Sequence, residues 1–216
     1  PNFISPFPDE FMYEIQFLKT YLNNYLHTTL QLDPRKDAWI FDGIQVYTMM
    51  QYIEEFHPES KMMGSVAKMK LLRGYNLVSL DFNGQYSYFY MLMARKNLDQ
   101  PLGAPKNTLI KFNEKIASKY RAGLSLKYLD SYLESQVVPN SIRSFIHLNK
   151  ERQTNKNDFE LLLTKNSPKA IPWFFDKIIN SRDIIDFKFD KVSRTKDSIT
   201  FSLKNKTETQ VPIPIY

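Results

Sequence analysis

From Phe11 onward the apolar residues Phe11, Ile15, Leu18, Leu22, Tyr25 and Leu26 recur at steps of three and four, which predicts an amphipathic helix with one buried stripe. Asp9 and Glu10 suit its start, and the proline-rich PNFISPFPDE before it predicts an extended leading segment. The pattern breaks over residues 28 to 37. Helical period returns from Tyr47 to Phe56 and stops at His57-Pro58, because a residue before proline avoids the α region. A further helix is expected over Lys61 to Leu72, closed by Gly74. Residues 76 to 84, NLVSLDFNG, are short and alternating. Gln85 to Leu98 then carries apolar and aromatic residues on nearly every face, which predicts a central, buried helix.

Pro101, Gly103 and Pro105 mark a loop, and Asn107 can cap a helix running to about Tyr120. Leu124 to Leu133 predicts another helix, and Pro139 to Leu148, Asp158 to Thr164 and Pro172 to Ile179 three shorter ones. The polar ERQTNKN between two of them reads as a mobile loop. After Ser181 the period becomes two. Ile185, Phe187 and Phe189 alternate with charged residues, as do Ile199, Phe201 and Leu203, with SRTKD as the turn. VPIPIY at the end reads as an edge or unfinished strand, since proline cannot donate within a ladder. Two or three strands are not stable alone, so they either pack on the helices or start a β-sandwich truncated at residue 216; the sandwich is the expectation. The fold class is therefore mainly α with a short C-terminal antiparallel β segment, α+β overall, divided at 1–181 and 182–216.

Composition narrows the chemistry. With 216 residues and 43% hydrophobic content the chain can bury a sizeable core. No apolar run approaches 18 residues, so a soluble chain without a transmembrane helix is expected. The absence of cysteine removes disulfides, thiol nucleophiles and thiolate metal sites, and fits either a cytoplasmic or an extracytoplasmic setting. Net charge is +6, and basic residues exceed acidic ones mainly after residue 136, by 14 to 9. Those basic residues are spread along strand and helix patterns, which argues against nucleic acid as the partner, although a basic polyanion-binding module is an alternative. Six of the eight methionines lie at 49, 50, 62, 63, 91 and 93, where flexible thioethers fill gaps in a core. The six glycines form no phosphate-cradling loop.

Trp39-Ile40-Phe41-Asp42-Gly43 reads as a turn between a long amphipathic helix and a Tyr- and Met-rich one. Far downstream, PWFFDKIINSRDIIDFKFDKV carries Trp173, Phe174 and Asp186 at the passage from helices to strands. The order of elements and these two motifs resemble the zinc aminopeptidases of the gluzincin class, the membrane alanyl aminopeptidase family. That resemblance implies a thermolysin-like catalytic lobe with its following helices, a place within a longer chain, and a peptide or protein ligand. It also implies H-E-x-x-H on the first helix, where two histidines one turn apart reach one zinc and the glutamate acts as base. The family's spacing puts that motif on Lys19-Thr20-Tyr21-Leu22-Asn23.

Lys19 and Asn23 then stand at the histidine positions, Thr20 at the base, and Asp42 at the third ligand. An ammonium repels zinc, an amide is a poor ligand for it, and threonine is no carboxylate base. Two readings are open: ordinary polar residues on a half-buried helix, or a peptidase relative that lost catalysis and kept a cleft for binding or scaffolding. Both predict no cofactor and no zinc hydrolysis, and the second adds a Lys19–Asp42 ion pair. An active zinc metallopeptidase with ligands elsewhere is a further alternative. Tyr86 is the weak candidate for the family's transition-state tyrosine, with core packing as the simpler role. His27, His57 and His147 are too far apart to form a spaced ligand pair and are expected as solvated helix-end residues.

Overall fold

The computed structural model describes residues 6–70, 76–133 and 136–213. Seven α-helices are seen among them: α1 (Asp9–Thr29), α2 (Ala38–Phe56), α3 (Asn76–Ser79), α4 (Gly84–Ala94), α5 (Ser118–Leu133), α6 (Val137–Glu151) and α7 (Lys156–Asn166). Two strands, β1 (Phe187–Arg194) and β2 (Ile199–Asn205), follow as an antiparallel hairpin. The fold is thus predominantly helical with a small C-terminal two-stranded sheet. No helix among the described residues is long and apolar enough to cross a membrane.

Helices α2 and α5 form the centre. Ile40, Ile44 and Tyr47 of α2 meet Ala122, Leu126 and Leu129 of α5, and Phe145, Phe159 and Phe174 close the same cluster from α6, α7 and the turn Phe174–Ile179. Gly123 permits this approach: a Cβ there would lie 2.2 Å from Cγ1 of Val46 and 3.2 Å from the Tyr47 nitrogen. Trp39 to Gly43, expected as a turn, is helical from its first residue. Gly43 supplies room rather than a bend, since a Cβ there would sit 3.2 Å from Leu126 Cδ1.

Several other expectations change for physical reasons. The helices foreseen over 107–120 and 124–133 merge, α5 continuing without a break from a π-helical turn at Asn113–Ala117, because Gly123 serves packing and does not end a helix. Lys61 to Leu72 is not one helix. Lys61 bridges to Asp81, Gly64 takes φ of +52° against the Pro6 carbonyl, and only a 3₁₀ turn, Gly64–Lys68, follows. The expected stop at Gly74 lies outside the described residues.

Helix α4 is not central. Tyr86 and Met93 are buried, whereas Tyr88, Met91 and Leu92 are exposed. The methionines divide likewise, with 49, 50 and 93 in the core and 91 at the surface. On α1 only Phe11 and Leu26 are buried, and Phe17, Tyr21 and Tyr25 stack in turn at 6.1 and 6.0 Å between ring centres, the first two exposed and Tyr25 partly buried against the main core. The polar loop expected to be mobile is pinned. Thr154 is buried and donates to Asn149 Oδ1 at 2.6 Å, the same oxygen that accepts from the Gln31 N–H, and Asn155 with Asp158 forms a capping box on α7.

The hairpin follows the two-residue alternation with one adjustment. Phe189 pairs with Leu203 and Val192 with Phe201, so a bulge at Asp190 returns Val192 to the apolar face. Phe187, Phe189, Val192, Ile199, Phe201 and Leu203 then share one face, and Lys188, Lys191 and Lys204 the other. Its base is tied down by the Lys206–Asp186 ion pair at 2.5 Å and by the Thr207 hydroxyl on the Ile184 carbonyl. Neither strand packs extensively on a helix. VPIPIY does not form a strand over its described residues. Val211 packs on the core and the Pro212 carbonyl accepts from the Tyr128 hydroxyl, while residues 214–216 lie outside the described set.

Candidate functional site

The position that sequence resemblance assigns to the third metal ligand lies in a polar cluster where α1, α2 and α5 meet. Asp42 is in the second turn of α2, and the Lys119 ammonium from α5 stands 3.3 Å from its Oδ1. Both side chains are about four-fifths buried. Gln45, one turn along α2 and 2% exposed, accepts from Lys119 through Oε1 and donates through Nε2 to the Lys19 carbonyl at 2.7 Å. The two side chains and one backbone carbonyl therefore tie three helices together.

Electrostatically the cluster is basic. Burial is the main cause that pushes the Lys119 ammonium below its ordinary range, Asp42 opposes that shift, and the positive charges of Lys19 and Lys106 add to it. His27 lies stacked on Phe41, with 4.6 Å between ring centres and 10° between planes. Its pKa is lowered first by burial; Asp42 raises it, and Lys106 and Lys119 lower it further. Several basic groups thus surround one carboxylate.

The sequence-derived candidates separate. Lys19, Thr20 and Asn23 are exposed on α1, with Thr20 accepting from Gln16 Nε2 at 3.3 Å. The foreseen Lys19–Asp42 ion pair is not among the described salt bridges; Lys119 takes the place given to Lys19. Nothing in the sequence marked Lys119, because its partner is brought to it by the α2–α5 packing. Tyr86 is buried against Val46 and Met50 and meets Tyr120 edge-on at 4.9 Å, and burial raises its pKa. That is a core role.

The histidines stay apart. His57 caps the C-terminus of α2 and contacts Glu14 at 2.8 Å, and His147 pairs with Glu151 at 3.2 Å. Among the described residues no group of three or more histidine, aspartate or glutamate side chains is placed to hold a metal ion.

These residues do not fit zinc. The one carboxylate at the site is already satisfied by an ammonium, and the α1 positions offer an ammonium, a hydroxyl and an amide. No family model, no curated protein and no solved structure matches the chain.

A second polar centre has a structural task. The Arg121 guanidinium of α5 donates to the carbonyls of Gln100, Ile178 and Ser181 at 3.1, 3.1 and 3.2 Å, and pairs with Asp99 at 3.5 Å. It also lies over the Tyr90 ring, 5.6 Å from its centre. A groove of about 500 Å³ opens beside it, with Met91, Leu124 and Ile185 along its walls.

Proposed function

We propose that the chain is a non-catalytic, aminopeptidase-like helical domain with a binding or structural role toward a peptide or protein. The observation that carries this reading is the Lys119–Asp42 pair. In a zinc peptidase the third-ligand carboxylate must be free to bind the metal, and here a largely buried ammonium occupies its coordinating oxygen. The base position carries Thr20, which cannot accept a proton from water near neutral pH. The aromatic ladder Phe17, Tyr21 and Tyr25 runs along the same stretch of α1 as Lys19, Thr20 and Asn23. Aromatic rings beside polar groups are the composition of a contact surface.

The test is elemental analysis of the purified chain after incubation with zinc and removal of free metal. The expected result is far less than one equivalent per chain and no peptidase activity sensitive to a chelator. Retention of about one equivalent sinks the reading and directs the search to a composite site. A second reading, a polyanion-binding module, draws on the hairpin face that carries Lys188, Lys191 and Lys204. It predicts binding to generic DNA that falls steeply with salt, and binding indifferent to salt rules it out.

A further inference from the structure

The groove beside Arg121 carries groups that the clamp itself does not need. About 500 Å³ in volume, it lies between α4, α5 and the segment 182–186, and falls within the size range of small-molecule sites. Its walls are apolar, formed by Met91 and Ala94 of α4, Leu124 of α5, and Ile178, Ile184 and Ile185.

Three carboxylates and three guanidiniums also line the groove, and their charges do not cancel. Each carboxylate already has a cation: Asp99 pairs with Arg121 at 3.5 Å, Asp183 with Lys177 at 3.0 Å and Asp186 with Lys206 at 2.5 Å. Arg95 and Arg182 have no carboxylate partner among the described residues. Two positive charges are therefore left over.

Arg182 is nonetheless held in place. Helix α4 ends in a Schellman turn, with the Leu98 N–H on the Met93 carbonyl at 3.0 Å, and this turn puts Asn97 in the left-handed region at φ of 58°. The carbonyl and the side-chain oxygen of Asn97 then both accept from the Arg182 guanidinium, the carbonyl at 3.0 Å. Both acceptors are neutral, so the arginine is oriented without being neutralised.

We infer that this groove binds a monoanion of one kind, a carboxylate at the end of an apolar chain. The head lies on Arg182 and Arg95, whose planar forks match the two oxygens of a carboxylate, and the chain runs along Met91, Leu124 and Ile185. A dianion is disfavoured because Asp183 and Asp186 share the lining. The same chemistry occurs in a free fatty acid and in the last residue of a peptide that ends in leucine. Asp42 and Lys119 take no part, so the inference stands apart from the function proposed above.

Isothermal titration calorimetry of the full chain with octanoate, 1-octanol and the tripeptide N-acetyl-Ala-Ala-Leu tests it. The expected result is saturable binding of octanoate about tenfold or more tighter than that of 1-octanol, which has the same chain without the charge. Arg95→Gln with Arg182→Gln removes that advantage, and a glutamine at 182 can still donate to Asn97. Ala94→Phe fills the groove and weakens both ligands, with unchanged helical circular dichroism showing that the variants fold. The acid that binds tighter, octanoate or the tripeptide, identifies the source of the ligand, provided its binding falls in the arginine variant.

No saturable binding of either acid below about 1 mM overturns the inference. So does octanoate binding no tighter than that of 1-octanol, or binding of both acids that is indifferent to residues 95 and 182. None of these outcomes touches the reading of the Asp42 cluster, which metal content decides.

Discussion

Gly123→Ala tests the central packing of the molecule most directly. In a helix interior this change is normally favourable by about 1 kcal/mol, because alanine has the higher helix propensity. Here the new methyl would lie 2.2 Å from Val46 Cγ1 and 2.5 Å from Val46 Cβ. Val46 is 1% exposed, and a valine in a helix has essentially one χ1 rotamer, so it cannot swing aside. Contact between two methyl carbons needs about 3.5–4.0 Å, and the helices must separate by more than 1 Å to provide it.

Overpacking of that kind costs about 1–3 kcal/mol, here with the backbone itself blocked, since the Tyr47 nitrogen lies 3.2 Å from the same position. With the backbone blocked the upper end of that range applies, so after the propensity gain a net loss of up to about 2 kcal/mol remains, which lowers the melting temperature by up to about 4–8 °C for a chain of this size. Gly43→Ala is the control. Its nearest neighbour is the flexible end of Leu126 at 3.2 Å, so packing and propensity nearly cancel, within about 0.5 kcal/mol. Urea or thermal unfolding followed by circular dichroism measures both. Equal or higher stability of Gly123→Ala would refute the close approach of α2 and α5.

Other outcomes follow from single groups. Arg121→Lys removes the planar fork that serves three carbonyls and leaves at least two of them unmet, with an expected loss of about 2–4 kcal/mol in urea unfolding and faster proteolysis near residues 100 and 180; a change under about 0.5 kcal/mol would contradict the clamp. Asp158 is held below the usual carboxylate range, chiefly by Arg152 and then by the Asn155 N–H. Because its folded pKa lies below its unfolded one, its contribution is present above about pH 4 and lost as pH falls through the folded value. Asp158→Asn therefore flattens the stability–pH curve below pH 4, and an unchanged curve would remove Asp158 from the acid response.

The parts of the fold that could be read in advance are those whose signal is local. The period of α1 and the alternation of the hairpin are set by which face is apolar, and the helix and both strands lie where the pattern puts them, although of the α1 stripe only Phe11 and Leu26 are buried. Gly43, expected within a turn, lies inside a helix because glycine marks a turn or a close approach equally well, and only the partner helix distinguishes the two. The density of aromatics in α4 indicated apolarity all round but not whether neighbours exist to cover it, and Tyr88 and Leu92 are exposed. Asp42 does stand in a polar cluster, but its partner is Lys119 and not the expected Lys19. Lys119 reaches it only through the packing of α5 on α2, which no spacing within either helix encodes.

Arg121 also bears on how the chain is made. Its guanidinium is satisfied by carbonyls 57 and 60 residues further on, at Ile178 and Ser181. During synthesis, α5 emerges well before those carbonyls exist, and at 5–20 residues per second the interval lasts roughly 3–12 seconds. Over that time the arginine keeps its hydration and the apolar face of α5 lacks Phe174 and Ile178 as cover. The Arg121 clamp therefore closes only after residue 181 has emerged, and until then the nascent chain presents an incompletely covered helical surface that a ribosome-associated chaperone is suited to shield.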